Sequence, residues 1–171
     1  MSTNGNLGET VLNAVKSEAE AALKKAQSDM EEMVNSFTKE AKDKIDLLIQ
    51  EADCKCQEIR KSTDDQVKSE INKAIKEYSN ILNNIGKEMA KTINDSWAGI
   101  KIKIESALEV VRGTLGKQTK EIEVQVKQMF KYADKVIADC IKTIQNMIKS
   151  GQSQLKNIGQ KYIKNTYLTQ V

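Results

Sequence analysis

The chain has 171 residues with 27 Lys/Arg against 24 Asp/Glu, no histidine, no proline and three cysteines. At 39% hydrophobic residues and a net charge of +3 it is too apolar to stay disordered, and it is long enough for one domain over 1–171. The missing histidine removes the commonest general base and every Ser-His or Cys-His nucleophile. The missing proline points away from turn-rich β and α/β folds toward long uninterrupted helices.

Residues 1–7 are small and polar and read as a loose start. From about 8 to 36 the apolar residues Val11, Leu12, Val15, Ala19, Ala22, Leu23, Ala26, Met30, Met33, Val34 and Phe37 recur three or four apart, which is a helical stripe. A second stripe over 38–61 carries Ala41, Ile45, Leu48, Ile49, Ala52 and Ile59. Only Asn35-Ser36 lies between the two, so they form either one long helix or a hairpin. Thr63 with Gln66 three residues later, and Asp64-Asp65 between them, has the pattern of a capping box that opens the next helix.

The third stripe is Val67, Ile71, Ala74, Ile75, Tyr78, Ile81, Leu82 and Ile85, with Gly86 suited to the left-handed position that closes a helix. The fourth covers 87–112. Arg112-Gly113-Thr114-Leu115-Gly116 is the clearest turn signal. The fifth, over 118–149, includes Ile122, Val126, Ala133, Val136, Ile141, Ile144, Met147 and Ile148. Gly151 then loosens the chain, and 152–168 form a short basic tail helix. Two strand-like alternations, Ile100-Lys-Ile-Lys-Ile104 and Ile122-Glu-Val-Gln-Val126, lie inside longer helical patterns and yield to them. An offset of 73 relates Ile75-Lys76 and Leu82-x-Asn84-Ile85-Gly86 to Ile148-Lys149 and Leu155-x-Asn157-Ile158-Gly159; so few matches read as biased composition rather than duplication.

The fold expected is all-α, an up-and-down bundle of about five long amphipathic helices with a short C-terminal one. Pairs such as Met129/Phe130 and Val136/Ile137 widen the stripe beyond the two-per-heptad seam of a dimeric coiled coil. Such faces pack against several neighbours or lie on lipid.

Charge is uneven. Residues 1–86 hold 12 Lys/Arg and 16 Asp/Glu, net −4, whereas 87–171 hold 15 and 8, net +7. Lys135, Lys142, Lys149 and Lys156 stand seven apart as a basic stripe that suits an anionic membrane, an acidic partner or the acidic first half of the chain. Nucleic acid is disfavoured, because arginine occurs only as Arg60 and Arg112 and aromatics for stacking are few.

No apolar run reaches transmembrane length. Met1-Ser-Thr-Asn-Gly-Asn6 has neither the basic nor the apolar part of a signal peptide. Cys54 or Cys56 paired with Cys140 is one reading of the thiols, and three idle thiols is the other. Zinc, di-iron, phosphate-loop and calcium patterns are all missing, so neither a metal nor a cofactor is expected. Adjacent acids such as Glu31-Glu32 are explained by solvation, so no enzyme is expected.

Asp95-Ser-Trp-Ala-Gly-Ile100 followed by Ser106-Ala-Leu108 is similar to the tryptophan-containing segment of the insect exchangeable apolipoproteins of the apolipophorin III type. The resemblance spans the chain in architecture and implies a secreted bundle that opens at its loops to lay apolar faces on lipid. The cysteines and the missing proline depart from it, and a disulfide between the second and fifth stretches would restrain opening.

The functional expectation is a non-enzymatic carrier of lipid or an apolar small molecule, with Met89, Ile93, Trp97, Ile100, Met129, Phe130 and Ile137 as its apolar face. A self-associating helical rod is the alternative, and a membrane-active toxin ranks last.

Overall fold

In the computed structural model the backbone is described for residues 3–62, 66–116 and 120–169. These residues form three α-helices: α1 (Thr3–Arg60), α2 (Val67–Leu115) and α3 (Lys120–Thr169). The chain is all-α and a helical bundle, but the expected five long helices and short tail helix are corrected to three. α1 starts at Thr3 rather than after residue 7 and runs through Asn35-Ser36; α2 runs through Gly86; and α3 runs through Gly151. The capping box at Thr63-Asp64-Asp65 lies outside the described residues. Of the 112–116 turn only Gly116 leaves the helix, at φ 61°, the left-handed value that closes a helix after Leu115.

One spacing explains this continuity. In α1 the inward positions fall in three series with an eleven-residue step: Ala19/Met30/Ala41/Ala52, Leu23/Val34/Ile45/Cys56 and Ala26/Phe37/Leu48/Ile59. α2 repeats the pattern with Ile71/Leu82/Ile93/Ile104, all buried, and α3 with Ile122/Ala133/Ile144/Leu155 and Val126/Ile137/Ile148/Gly159, also all buried. Eleven residues in three turns is 3.67 per turn, close to the 3.6 of a straight helix. The apolar band therefore stays on one side throughout, and burying it outweighs a residue such as Asn35 or Ser36, whose helix penalty is only about 0.5 kcal/mol.

The helices contribute segments to two compact units: Met1–Asn35 with Thr92–Asp139, and Ser36–Lys91 with Cys140–Val171. In the second unit three glycines are sites of close approach. A Cβ at Gly151 would lie 3.0 Å from Ile45 Cγ2 and 3.2 Å from Leu82 Cδ1. At Gly159 it would lie 2.8 Å from Ile75 Cγ1, and at Gly86 3.1 Å from Ile148 Cγ1. The last two contacts are reciprocal. Ile75 and Gly86 on α2 meet Gly159 and Ile148 on α3, so the 73-residue echo marks two matched Ile-on-Gly contacts between antiparallel helices.

Side-chain bonds hold the same unit together. Gln152 Nε2 donates to Asn83 Oδ1 (2.7 Å) and to the Ser79 carbonyl (3.2 Å), and the Tyr162 hydroxyl donates to Asp53 Oδ1 (2.7 Å). Burial raises the Tyr162 phenol above its ordinary value, with the Asp53 bond adding to the effect. Cys56, Val67, Ile71 and Tyr162 form the buried cluster at this end.

The disulfide from Cys54 or Cys56 to Cys140 is not formed; all three thiols are free. Cys140 Sγ lies 3.6 Å from Thr38 Oγ1, and Thr38 precedes Cys56 by eighteen positions, about 27 Å along a helix. A disulfide needs Cα atoms within about 7 Å.

Two predictions follow from this packing. Gly159→Ala should lower stability by about 1 kcal/mol, because overpacking costs about 1–3 kcal/mol against a helix-propensity gain of about 1. Gly99→Ala and Gly113→Ala, where an added Cβ meets nothing within 4 Å, should each raise stability by about 0.5–1 kcal/mol. Denaturant melts of the three variants check the signs. Among the thiols, Cys54 is exposed, whereas Cys56 and Cys140 are buried and burial pushes the Cys56 thiol pKa up, with Asp53 contributing. An aromatic disulfide reagent should therefore titrate one thiol quickly in the native chain and all three only after unfolding.

Candidate apolar cleft

In the first unit α1 presents small side chains to the other two helices. Ala19, Ala22 and Ala26 stand one turn apart around Leu23, facing Ile100, Ile104, Leu108 and Val111 of α2 and Ile122 and Val126 of α3. Ile104, Ile122 and Val126 are the buried heart of this cluster. An alanine wall is too short to fill the space, and Gly99 and Gly113, the glycines of α2 in this unit, approach no other helix. A cleft of about 270 Å³ remains. The middle residues of the two strand-like alternations, Ile102 and Val124, point away from it and are 64% and 54% exposed, while their flanking residues line it.

The cleft is not where the apolar face was expected. Of that face, Ile100 alone borders it. Met89 belongs to the second unit and is buried, and Ile93, Trp97 and Ile137 are buried in the first. Met129 and Phe130 are half-buried and pack on the cluster beside the cleft.

Trp97 is committed to a contact set of its own. Its ring meets Phe130 edge-on, with centroids 5.9 Å apart and planes at 88°, a favoured aromatic geometry. Its Nε1 donates to Asp134 Oδ1 at 2.7 Å, and Lys101 Nζ lies 2.7 Å from the same oxygen. Lys101 also sits 5.2 Å from the Trp97 ring centre, within cation–π range. This arrangement pins α2 to α3 next to the cleft. The Arg112 Nε bond to Glu123 (2.6 Å) ties the same helices near Val111 and Ile122.

The alanines carried a readable signal: three small residues at helical spacing opposite branched aliphatics. The four lysines of the basic stripe are all exposed, Lys135 in the first unit and Lys142, Lys149 and Lys156 in the second, and none makes an ion pair among the described residues. Among those residues no group of three or more Cys, Asp or Glu could hold a metal ion, and no helix is long and apolar enough to cross a membrane.

Asp134 makes acid sensitivity local. Its hydrogen bonds from Lys101 and then Trp97 hold its carboxyl below the ordinary value. The stabilisation it contributes is therefore complete above the unfolded carboxylate value of about 4 and is lost as pH falls through the lower folded value. The Trp97 emission should change on acidification below about pH 4, and Asp134→Asn should remove that step; an unchanged acid titration in the variant would contradict the assignment.

No protein family, no curated protein and no solved structure matches this chain.

Proposed function

We propose that this protein is a non-enzymatic carrier that takes an apolar ligand into the cleft of its first unit. The observation supporting this is the alanine wall of α1, which leaves about 270 Å³ lined mostly by aliphatic side chains and filled by none of the described residues. Apolar cavities of about 150 Å³ already accept benzene-sized guests, and ligand sites are typically aliphatic with a few polar groups at the edge. Water in such a cleft gains few hydrogen bonds, so replacing it with hydrocarbon is favourable by about 25 cal/mol per Å² of apolar surface covered.

A second reading, adsorption on a lipid surface, draws support from the exposed Ile102, Val110 and Val124 of the first unit. The two modes differ in what they ask of the bundle. The carrier keeps its helices packed, whereas adsorption exchanges helix contacts for lipid.

The uncharged probe N-phenyl-1-naphthylamine should bind one per chain with a Kd on the order of micromolar, about −8 kcal/mol. Ala26→Leu should fill the cleft, weaken that binding at least about tenfold and leave the melting temperature equal or higher, as cavity-filling changes often do. Probe binding that is indifferent to Ala26→Leu would defeat the carrier reading.

A further inference from the structure

The lining of the cleft is aliphatic except for three charged residues. Lys25 and Asp29 of α1 and Lys103 of α2 lie on its rim. Because α1 and α2 run in opposite directions, the 25–29 stretch of one and the 100–103 stretch of the other fall at the same end. Neither lysine makes an ion pair among the described residues, and Asp29 makes none there either. The charged part of the lining thus carries two positive charges against one negative, beside a hydrocarbon trough.

We propose, resting on the reading of the cleft as a ligand site, that its occupant is a single-chain aliphatic carboxylate, a free fatty acid. Its carboxylate lies between Lys25 and Lys103, and its tail runs along Leu23, Ile104 and Leu108. Charge complementarity selects an anionic head over a neutral or cationic one. The volume selects one chain: about 270 Å³ lies at the lower edge of ligand pockets, too little for the two chains of a phospholipid. The head stays in water at the rim, so the ammonium groups contribute selectivity that salt weakens, while the tail supplies most of the affinity.

Calorimetric titration of the full chain with dodecanoate, dodecanol and dodecyltrimethylammonium, each below its self-association concentration, tests this. The expected order is dodecanoate tightest, by about fivefold over dodecanol, with the cation weakest. Lys25→Gln/Lys103→Gln should bring dodecanoate down to the dodecanol level without changing dodecanol binding or the melting temperature. Asp29→Asn should strengthen dodecanoate binding by up to about fivefold. Equal binding of all three compounds, or a lysine double variant that retains the preference, overturns the head-group assignment while leaving the cleft as an apolar site. No binding of any of them, with wild type and Ala26→Leu alike, overturns the cleft itself. Co-sedimentation with anionic phospholipid vesicles, unaffected by excess dodecanoate, would overturn the fatty-acid assignment in favour of a lipid surface.

Discussion

The alternation of three- and four-residue steps that repeats every eleven residues is the constraint on which this protein depends. Each helix keeps its apolar band on one side because the period nearly equals that of the helix itself. A seven-residue repeat would swing the band the other way, and an irregular one would break it into shorter helices. Three bands of this kind bury one another without a proline, with few aromatics and without a disulfide. Glycines such as Gly151 are carried along because Met147 and Leu155, four before and four after, belong to the band.

What differs between the two units is the filling of the inward positions. Where the second unit places glycine, a branched side chain from a neighbouring helix occupies the space a Cβ would take, as Ile75 does at Gly159. The backbones approach and no gap is left. Among the described residues the first unit has no such glycine contact: Gly99 and Gly113 meet no other helix, and the small residues that line its cleft from α1 are alanines. The contacts that tie α2 to α3 there are directional ones, from Trp97 and Lys101 to Asp134 and from Arg112 to Glu123. Such bonds at exposed or partly exposed positions contribute little stability, but they fix geometry, which a cleft requires.

Helical content and the inward residues were legible in the sequence, because three- and four-residue spacings are a direct projection of helix geometry. Helix number was not. On local propensity Gly86 and Gly151 suit helix ends, yet the side chains of Ile148, Ile45 and Leu82 pack onto them, information that exists only once the helices are side by side. Asn35-Ser36 failed as a break for a simpler reason: Val34 and Phe37 on either side both continue the band. The eleven-residue period was present in the letters but was cut into pieces at these same points. For the cleft, the bulky and aromatic residues drew attention, and Trp97 and Phe130 turn out to pack against each other. A void is made by what is missing, and Ala19, Ala22 and Ala26 announce it only in combination with their neighbours across the bundle.

Alanine is the residue such a cleft calls for. Glycine at positions 19, 22 and 26 would let neighbouring side chains collapse onto the helix, as at Gly151, and would cost helix stability of about 1 kcal/mol each. Leucine would fill the space outright. Alanine keeps the best helix propensity of any residue and a Cβ that holds the opposing helices off, without reaching across to them. The lysines matter by the same logic of position. Many lysines of this chain are exposed and unpaired, and charge alone makes none of them a site. Lys25 and Lys103 differ because they border a trough that hydrocarbon would fill, so an anion held there arrives with an apolar tail already placed.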